Sequence, residues 1–272
     1  MLAGTTHERA RLLGRVVVVL AGFALLADTG FSHADECRIA AEHEGMLFPV
    51  DRLDPLSRCL IGPVVNEFTT SGLVGPVQTP IAQEFFEYLL DRPVLLAALV
   101  DRLKLGSYKF TVKGDRQYWV DDGEGTQGLL MLVYRDETTR IYHLDGFHEG
   151  RVLPLVKAKA VVFLRLAPGV TPEGDPSVES RLVAYTKLKD SFLSALVRML
   201  RPLVGGTVTR KLSHGFDVTI QLGNLIAQDP DRVAREADML EGIDGTELKT
   251  FHAFLHAVPH PTAPPPPQRA TP

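Results

Sequence analysis

The sequence predicts an α+β fold in which an antiparallel sheet of about six to seven strands packs against a long C-terminal helix, with extra helices at the ends. Apolar residues recur at helical spacing before residue 106 and again after residue 190, and they alternate with polar residues in between. Short connections join the strand candidates, which favours an antiparallel meander over βαβ units. With 272 residues, 45% of them hydrophobic, the chain is long enough to bury a full core.

Residues 1–34 have the pattern of a secretory signal peptide. The basic stretch "HERARLLGR" precedes the uninterrupted apolar run 16–27, and the segment ends in small residues at Ser32 and Ala34. The apolar run is too short for a membrane-spanning helix, which needs roughly 20 residues. We therefore expect an exported, periplasmic protein.

Residues 35–63 are rich in turn-forming residues, as in "FPVDRLDPLSRC", and predict an irregular segment. It contains both cysteines of the chain, Cys37 and Cys59. In an oxidising compartment this pair favours a disulfide that closes a loop of about 20 residues and contributes about 2–4 kcal/mol. Two independent buried thiols are the alternative. Neither cysteine has the Cys-x-x-Cys spacing of a redox or zinc pair, so thiol catalysis is not expected.

Two helices are predicted ahead of the sheet, within "TPIAQEFFEYLLDRPVLLAALVDRL". Thr79 is a suitable N-cap, and Pro80 suits the first helical position. Pro93 divides the pattern into two helices, because proline lacks a backbone donor and clashes with the preceding turn.

The sheet is predicted from six segments with period-two alternation: "YKFTVK", "RQYWVDD", "GLLMLVY", "TRIYHLD", "LVKAKAVVFLRLA" and "RLVAYTKLK". In the longest segment, the apolar residues from Val156 to Leu166 share one face, and Lys157 and Lys159 lie on the other. This alternation predicts one buried face and one mainly wet face. Trp119, the single tryptophan, is interpreted as a core residue.

A long helix is predicted after the sheet. Asp190 or Ser191 would cap it, and apolar residues step by four from Phe192 onward. Pro202 and the glycine pair that starts at Gly205 predict a bend.

Residues 229–258 predict two additional short helices. Asp229 or Asp231 would cap the first and Thr246 the second. The tail 259–272 is Pro-rich and predicts a solvated extension without a packed core.

This order of elements resembles the helix-grip fold of the START-like, Bet v 1-like superfamily, also called SRPBCC. The likeness is carried by "TPIAQEFFEYLLDRP" entering the fold and by "SRLVAYTKLKDSFLSALVRML", in which a last strand runs directly into the closing helix. Residues 65–75, "VNEFTTSGLVG", would form the family's first strand. The resemblance covers residues 64–228. It implies a strongly curved sheet that grips the long helix, with an apolar cavity between them for a lipid or another hydrophobic small molecule.

The residues expected to line that cavity are small or apolar side chains on one face of the last two strands and on the long helix: Ala158, Ala160, Val162, Leu164, Leu182, Ala184, Leu196, Leu200 and Val204. Alanines at such positions leave space that larger core residues would fill. The alternative is that the helix lies close to the sheet and the alanines make room for it.

The stretch "IYHLDGFHEG" combines two histidines with two carboxylates. On an extended strand Tyr142 and His143 point to opposite faces, and His148 cannot join His143 on one ion without a bulge. A polar strand end is the favoured interpretation. The alternatives are a polar cavity rim, in which Tyr142 or His143 bonds a ligand head group, and a metal site. His252 and His256 lie four residues apart, but no glutamate completes a His-Glu-x-x-His pattern, so no metal site is predicted.

The sequence favours an exported carrier of a hydrophobic small molecule or lipid, with transient membrane or envelope-protein contact. No nucleophile elbow, phosphate-binding loop or dinucleotide fingerprint is present, so no cofactor is predicted. The balance of 29 Lys and Arg against 33 Asp and Glu, without a long basic run, argues against nucleic-acid binding. Two alternatives stay open. One is a cyclase- or hydrolase-like enzyme using Tyr142 and His143 for acid–base chemistry, and the other is a non-catalytic interaction module.

Overall fold

The computed structural model describes residues 37–149, 155–189 and 201–258, with residues 201–212 described by their backbone alone. This part of the chain has helices and a seven-stranded antiparallel sheet, so the predicted α+β class is confirmed. The helices are α1 Pro55–Asn66, α2 Gln83–Leu90, α3 Pro93–Arg102, α4 Arg201–Gln228, α5 Pro230–Ala237 and α6 Gly245–His256. The strands are β1 Glu42–His43, β2 Met46–Leu47, β3 Thr70–Thr79, β4 Lys109–Gly114, β5 Gln117–Asp121, β6 Thr126–Arg135, β7 Thr139–His148, β8 Val156–Val170 and β9 Pro176–Leu188.

The segment before the sheet is more ordered than the sequence pattern indicates. β1 and β2 form a small hairpin, and helix α1 lies where an irregular segment was expected. Asp54 caps α1 by accepting a hydrogen bond from the Ser57 amide (2.9 Å), and Pro55 occupies the first turn. An Asp-Pro pair is also a common turn signal, so the pattern alone favours a loop here. The predicted disulfide between Cys37 and Cys59 is confirmed, and it ties the start of the segment to α1.

The seven-stranded sheet has the order β3-β9-β8-β7-β6-β5-β4, and every neighbouring pair is antiparallel. Its first and last strands along the chain lie side by side, and β4 is left at one edge. β3 begins at Thr70, later than expected, because Val65 belongs to α1. Gly128 and Gly146 face each other across β6 and β7, where the strands approach so closely that neither position has room for a Cβ.

Helices α2 and α3 connect β3 to β4. α2 begins at Gln83 rather than near Thr79, because Thr79 is the last residue of β3 and pairs with Val178. Pro93 separates the two helices as predicted and stands in the first turn of α3.

The two faces of the sheet pack against different layers. We call the face that bears Tyr142 and Val162 the inner face, and the opposite one the outer face. The inner face packs against α2, α3 and the C-terminal half of α4, in a core that includes Phe85, Leu164 and Leu222. Helices α5 and α6 contribute further buried side chains to this core.

The outer face is not mainly wet, contrary to the prediction. Val161 and Phe163 of β8 are fully buried beneath α1 and the β1–β2 hairpin. Ile61 and Val64 supply the α1 side of this second core. The alternation along β8 did not reveal it, because lysines occupy the same face at one end of the strand. The sheet therefore lies between two apolar layers.

Three helices are described after residue 200, and one predicted cap is different. α4 remains helical through Gly205, and its expected N-cap lies outside the described residues. Asp229 caps α5 by accepting from the Arg232 amide (3.0 Å), as predicted. Asp244 caps α6, whereas Thr246, the predicted cap, donates its amide to the Asp244 carboxylate (2.8 Å).

The expected signal peptide, residues 1–34, and the Pro-rich tail, residues 259–272, lie outside the described residues. Within the described ranges no helix has the length and apolar character needed to cross a membrane.

Candidate ligand-binding cavity

A cavity of about 560 Å³ lies on the inner face, between the α2–α3 pair and strands β4 to β8. Apolar side chains form much of its wall: Leu90, Leu96, Phe110, Leu130, Leu132 and Val162. Tyr118 and Tyr142 bring two phenol groups to the same wall. The volume falls within the range of pockets that hold small organic molecules.

The register of the strands builds this wall. Tyr118 pairs with Leu130 across β5 and β6, and a row formed by Leu132, Tyr142 and Val162 crosses β6, β7 and β8. Alternate residues of a strand share one face, so these side chains project together toward α2 and α3. The alternation of "GLLMLVY" carries the signal for Leu130 and Leu132, although neither was among the predicted lining residues.

Tyr142 is the polar group most enclosed by the cavity. Burial raises the pKa of its phenol, and the positive charge of Arg140 opposes that rise in part. The phenol is therefore neutral over the physiological range and can donate a hydrogen bond to a bound molecule.

An ion network lies beside Tyr142 at the wall of the cavity. The guanidinium of Arg140 is only 2% exposed and lies 3.6 Å from the Glu87 carboxylate and 3.4 Å from that of Asp91. Arg135 donates a hydrogen bond to the other oxygen of Asp91, Oδ2, at 2.7 Å. Two arginines and two carboxylates balance in charge, and Asp91 and Arg135 of this network line the cavity together with the ion pair of Asp115 and Arg116.

The predicted strand residues lie on the inner face, but not all of them reach the cavity. Val162 pairs with Ala184, and Leu164 pairs with Leu182. Val162 lines the cavity, whereas Leu164 is 6% and Ala184 2% exposed. Leu164 and Leu182 pack into the inner core beside α2 and α4.

Of the remaining predicted lining residues, two are described on the inner face and three have no described side chain. Ala158 and Ala160 are half-buried on the inner face. Leu196 and Leu200 lie outside the described residues, and of Val204 only the backbone, in α4, is described.

His143 lies on the outer face, away from the cavity. It is 5% exposed, and burial, followed by the positive charge of Lys159, lowers the pKa of its imidazole. Its neighbour Tyr142 points to the inner face, so the two side chains cannot act on one substrate molecule. The acid–base pair of the enzyme hypothesis therefore has no geometric basis in this structure.

Two other histidines from the candidate stretches have local partners. The Nδ1 atom of His148 is 3.1 Å from the Thr126 hydroxyl, and the Nε2 atom of His252 is 2.8 Å from the Asp238 carboxylate. Within residues 37–149, 155–189 and 201–258, no group of three or more His, Cys, Asp or Glu is placed to hold a metal ion.

Trp119 was predicted in the core and is instead on the surface. It lies on the outer face, paired with Leu129, and is 36% exposed. The prediction is wrong because α1 packs over β8 and β9 and does not extend to β5.

A second cavity, of about 660 Å³, lies between the β8–β9 turn, the start of α2 and the ends of α4 and α6. Phe85 and Phe254 form its apolar side, and Glu173 and Asp175 of the turn form its acidic side. Of the predicted lining residues whose side chains the structure describes, none reaches it. The inner-face cavity, enclosed by the sheet and a helix pair, is therefore the better candidate.

Comparisons with known proteins leave the family unassigned. No protein-family model matches the chain, and no curated protein matches it. Similar solved structures include a conserved protein from Geobacillus kaustophilus, the protein Ara h 8.0201 and norcoclaurine synthase from Thalictrum flavum, the last two being Bet v 1-like. Their sequence identities are 14%, 14% and 16%, with TM-scores of 0.39, 0.35 and 0.36. The alignments cover 57%, 55% and 56% of this chain and 93%, 94% and 86% of the respective structures.

Proposed function

We propose that this protein binds a hydrophobic small molecule or a lipid in the inner-face cavity. The observation that carries the proposal is the cavity itself, about 560 Å³ in volume, with an apolar wall and the neutral phenol of Tyr142. Transfer of apolar ligand surface from water into this space contributes about 25 cal/mol per Å² buried. The cavity suits a ligand with an apolar body and one small polar group.

The charges around the cavity favour a ligand without net charge. Asp91 is engaged by Arg135 and Arg140, so an ionic head group would have to displace an existing ion pair. A hydroxyl or carbonyl oxygen needs no such exchange, because the Tyr142 phenol can donate to it.

The site of action that we propose is outside the cytosol. Disulfides persist in oxidising compartments, and the bond between Cys37 and Cys59 lies in the segment that covers the outer face. Together with the predicted signal peptide, this supports an exported, periplasmic carrier.

The first experiment is native mass spectrometry of the protein recovered from an exporting host, followed by solvent extraction of co-purified molecules. We expect an apolar adduct of one ligand per chain. Replacing Leu132 with Trp fills the cavity and should abolish the adduct. The matched control is Met131→Trp, one residue earlier on the same strand and facing the outer side.

The pair of variants separates a misplaced cavity from a misfolded protein. Both should retain cooperative thermal unfolding. An adduct that survives Leu132→Trp with the fold intact, or one that is lost equally in Met131→Trp, contradicts the proposed cavity. A wild-type protein that carries no adduct and takes up none from mixed envelope lipids contradicts the carrier function itself.

A further inference from the structure

A cluster of four lysines lies on the outer face where β8 and β9 run side by side. Lys159 and Lys187 are direct cross-strand partners. The backbone amide of Lys189 donates to the carbonyl of Lys157 at 2.9 Å, which brings the second two lysines together. Like charges placed directly opposite each other destabilise a sheet. Because two such lysine pairs lie next to each other here, negatively charged groups are needed nearby to offset the repulsion.

The protein supplies only part of that counterpart. Asp145 lies 2.6 Å from the Lys189 ammonium and 4.0 Å from that of Lys159, and Glu67 lies 2.8 Å from that of Lys187. Among the residues that the structure describes, these four lysines and two carboxylates leave an excess of two positive charges. The whole chain has a formal net charge of −4, so the local sign is opposite to that of the molecule.

An apolar groove adjoins the lysines. A cavity of about 550 Å³ lies between α1 and the sheet, with Lys159, Lys187 and Lys189 and the single carboxylate of Asp145 on one side. Leu60, Pro63 and other α1 residues form the opposite, largely apolar side. The groove thus places ammonium groups next to hydrocarbon surface.

The positive charges of the cluster also act on the buried imidazole of His143. Burial is the first cause that lowers the pKa of His143, and the positive charges of Lys159 and Lys189 lower it further. The nearby carboxylate of Asp145 only partly opposes them.

We propose that this lysine groove binds the head groups of anionic phospholipids at a membrane surface. The phosphate of the lipid would lie among Lys159, Lys187 and Lys189, whose partly exposed ammonium groups each have donors beyond the one directed at Asp145 or Glu67, so no ion pair has to be displaced. The first methylenes of the lipid would contact the α1 side. A soluble anion would use the charges but not the apolar side, so the observed pairing favours a membrane. The groove lies on the outer face, opposite the proposed ligand cavity, and the inference does not depend on that cavity.

The test is co-sedimentation of the full chain with phosphatidylcholine vesicles and with equimolar phosphatidylcholine–phosphatidylglycerol vesicles. The neutral vesicles report any binding through the apolar run 16–27. We expect preferential binding to the anionic vesicles that declines with salt. Lys159→Gln/Lys187→Gln should weaken it roughly 25-fold, about fivefold for each lysine removed from an anionic surface.

Two further variants make the result specific. Lys104→Gln/Lys249→Gln removes the same charge from exposed positions after α3 and on α6, and it should leave binding nearly unchanged. Glu67→Gln/Asp145→Asn removes the two carboxylates and should tighten binding to the anionic vesicles alone, and this gain should decline with salt, whereas adsorption of a misfolded protein would also appear with neutral vesicles.

Three results would overturn the inference. The first is equal binding of wild-type protein to neutral and anionic vesicles. The second is an equal loss of vesicle binding in Lys159→Gln/Lys187→Gln and in the control Lys104→Gln/Lys249→Gln. The third is lysine-dependent binding of inorganic phosphate without binding to anionic vesicles, which would assign the groove to a soluble anion.

Discussion

The imidazole of His43 is stacked on the ring of Phe163, with 4.3 Å between the ring centroids. Its Nδ1 atom is also within hydrogen-bond distance, 3.1 Å, of the Tyr185 hydroxyl. His43 belongs to the β1–β2 hairpin, whereas Phe163 and Tyr185 belong to the adjacent strands β8 and β9 of the seven-stranded sheet. The contact therefore fastens the disulfide-bonded segment to the outer face and makes it part of the folded domain.

Acid should loosen this contact. Burial lowers the pKa of His43, opposed by a backbone hydrogen bond with Ala40 and by the charge of Glu44, and burial lowers the pKa of His143 beside Lys159. Below about pH 6.5 the unfolded chain therefore binds more protons than the folded one, so the free energy of unfolding falls as pH decreases from there. Thermal unfolding across this range checks the expectation. His43→Gln should flatten the pH dependence, and His214→Gln, at an exposed position of α4, should not.

Removing the disulfide should destabilise the domain. Cys37 and Cys59 close a loop of about 20 residues, so replacing both with serine should cost about 3 kcal/mol of unfolding free energy. Denaturant titration with and without a reductant measures the difference. The reductant should reproduce the loss in the wild type and change nothing in the double variant. An unchanged midpoint in reduced wild-type protein would contradict this account of α1.

The second core, on the outer face beneath α1, should contribute to the free energy of unfolding as strongly as an ordinary protein core. Phe163 is fully buried, so Phe163→Ala should cost about 3–5 kcal/mol by loss of contacts and creation of a cavity. Trp119→Ala, on the same face but partly exposed, is the control and should cost far less. Equal midpoints for the two variants in urea would show that the α1 layer does not stabilise the sheet.

The arginines beside the cavity should differ sharply in their effect on stability. Arg140→Met leaves Glu87 and Asp91 without their buried cation, which should cost about 3 kcal/mol. Arg135→Gln removes a half-exposed partner of the same Asp91 and should cost less than about 1 kcal/mol. Chemical denaturation of both variants compares them. A smaller loss for Arg140→Met than for Arg135→Gln would contradict the assigned network.

Local sequence patterns predicted the strands of the sheet better than the helices and the hairpin that pack on its two faces. The alternation from Val156 to Leu166 correctly placed one set of side chains on the inner face, because the side-chain period of a strand is a property of its backbone. The burial of Phe163 depends on α1, which is distant from it in sequence. The local signal for the start of α1 is the Asp54-Pro55 pair, which is equally typical of a turn. The cavity depends likewise on how α2 and α3 lie over Leu130 and Leu132, and no local pattern encodes that arrangement.

The open edge at β4 has a consequence for how copies of this protein meet. An unpaired strand can accept a strand from a neighbouring molecule and start a fibril. Here Lys109 and Lys113 are exposed along β4, on either side of the exposed Val112. A second molecule approaching in the same way would bring its own lysines against these, and the repulsion between them keeps the edges apart. We therefore expect these two surface charges to oppose polymerisation through the β4 edge in a concentrated solution of this protein.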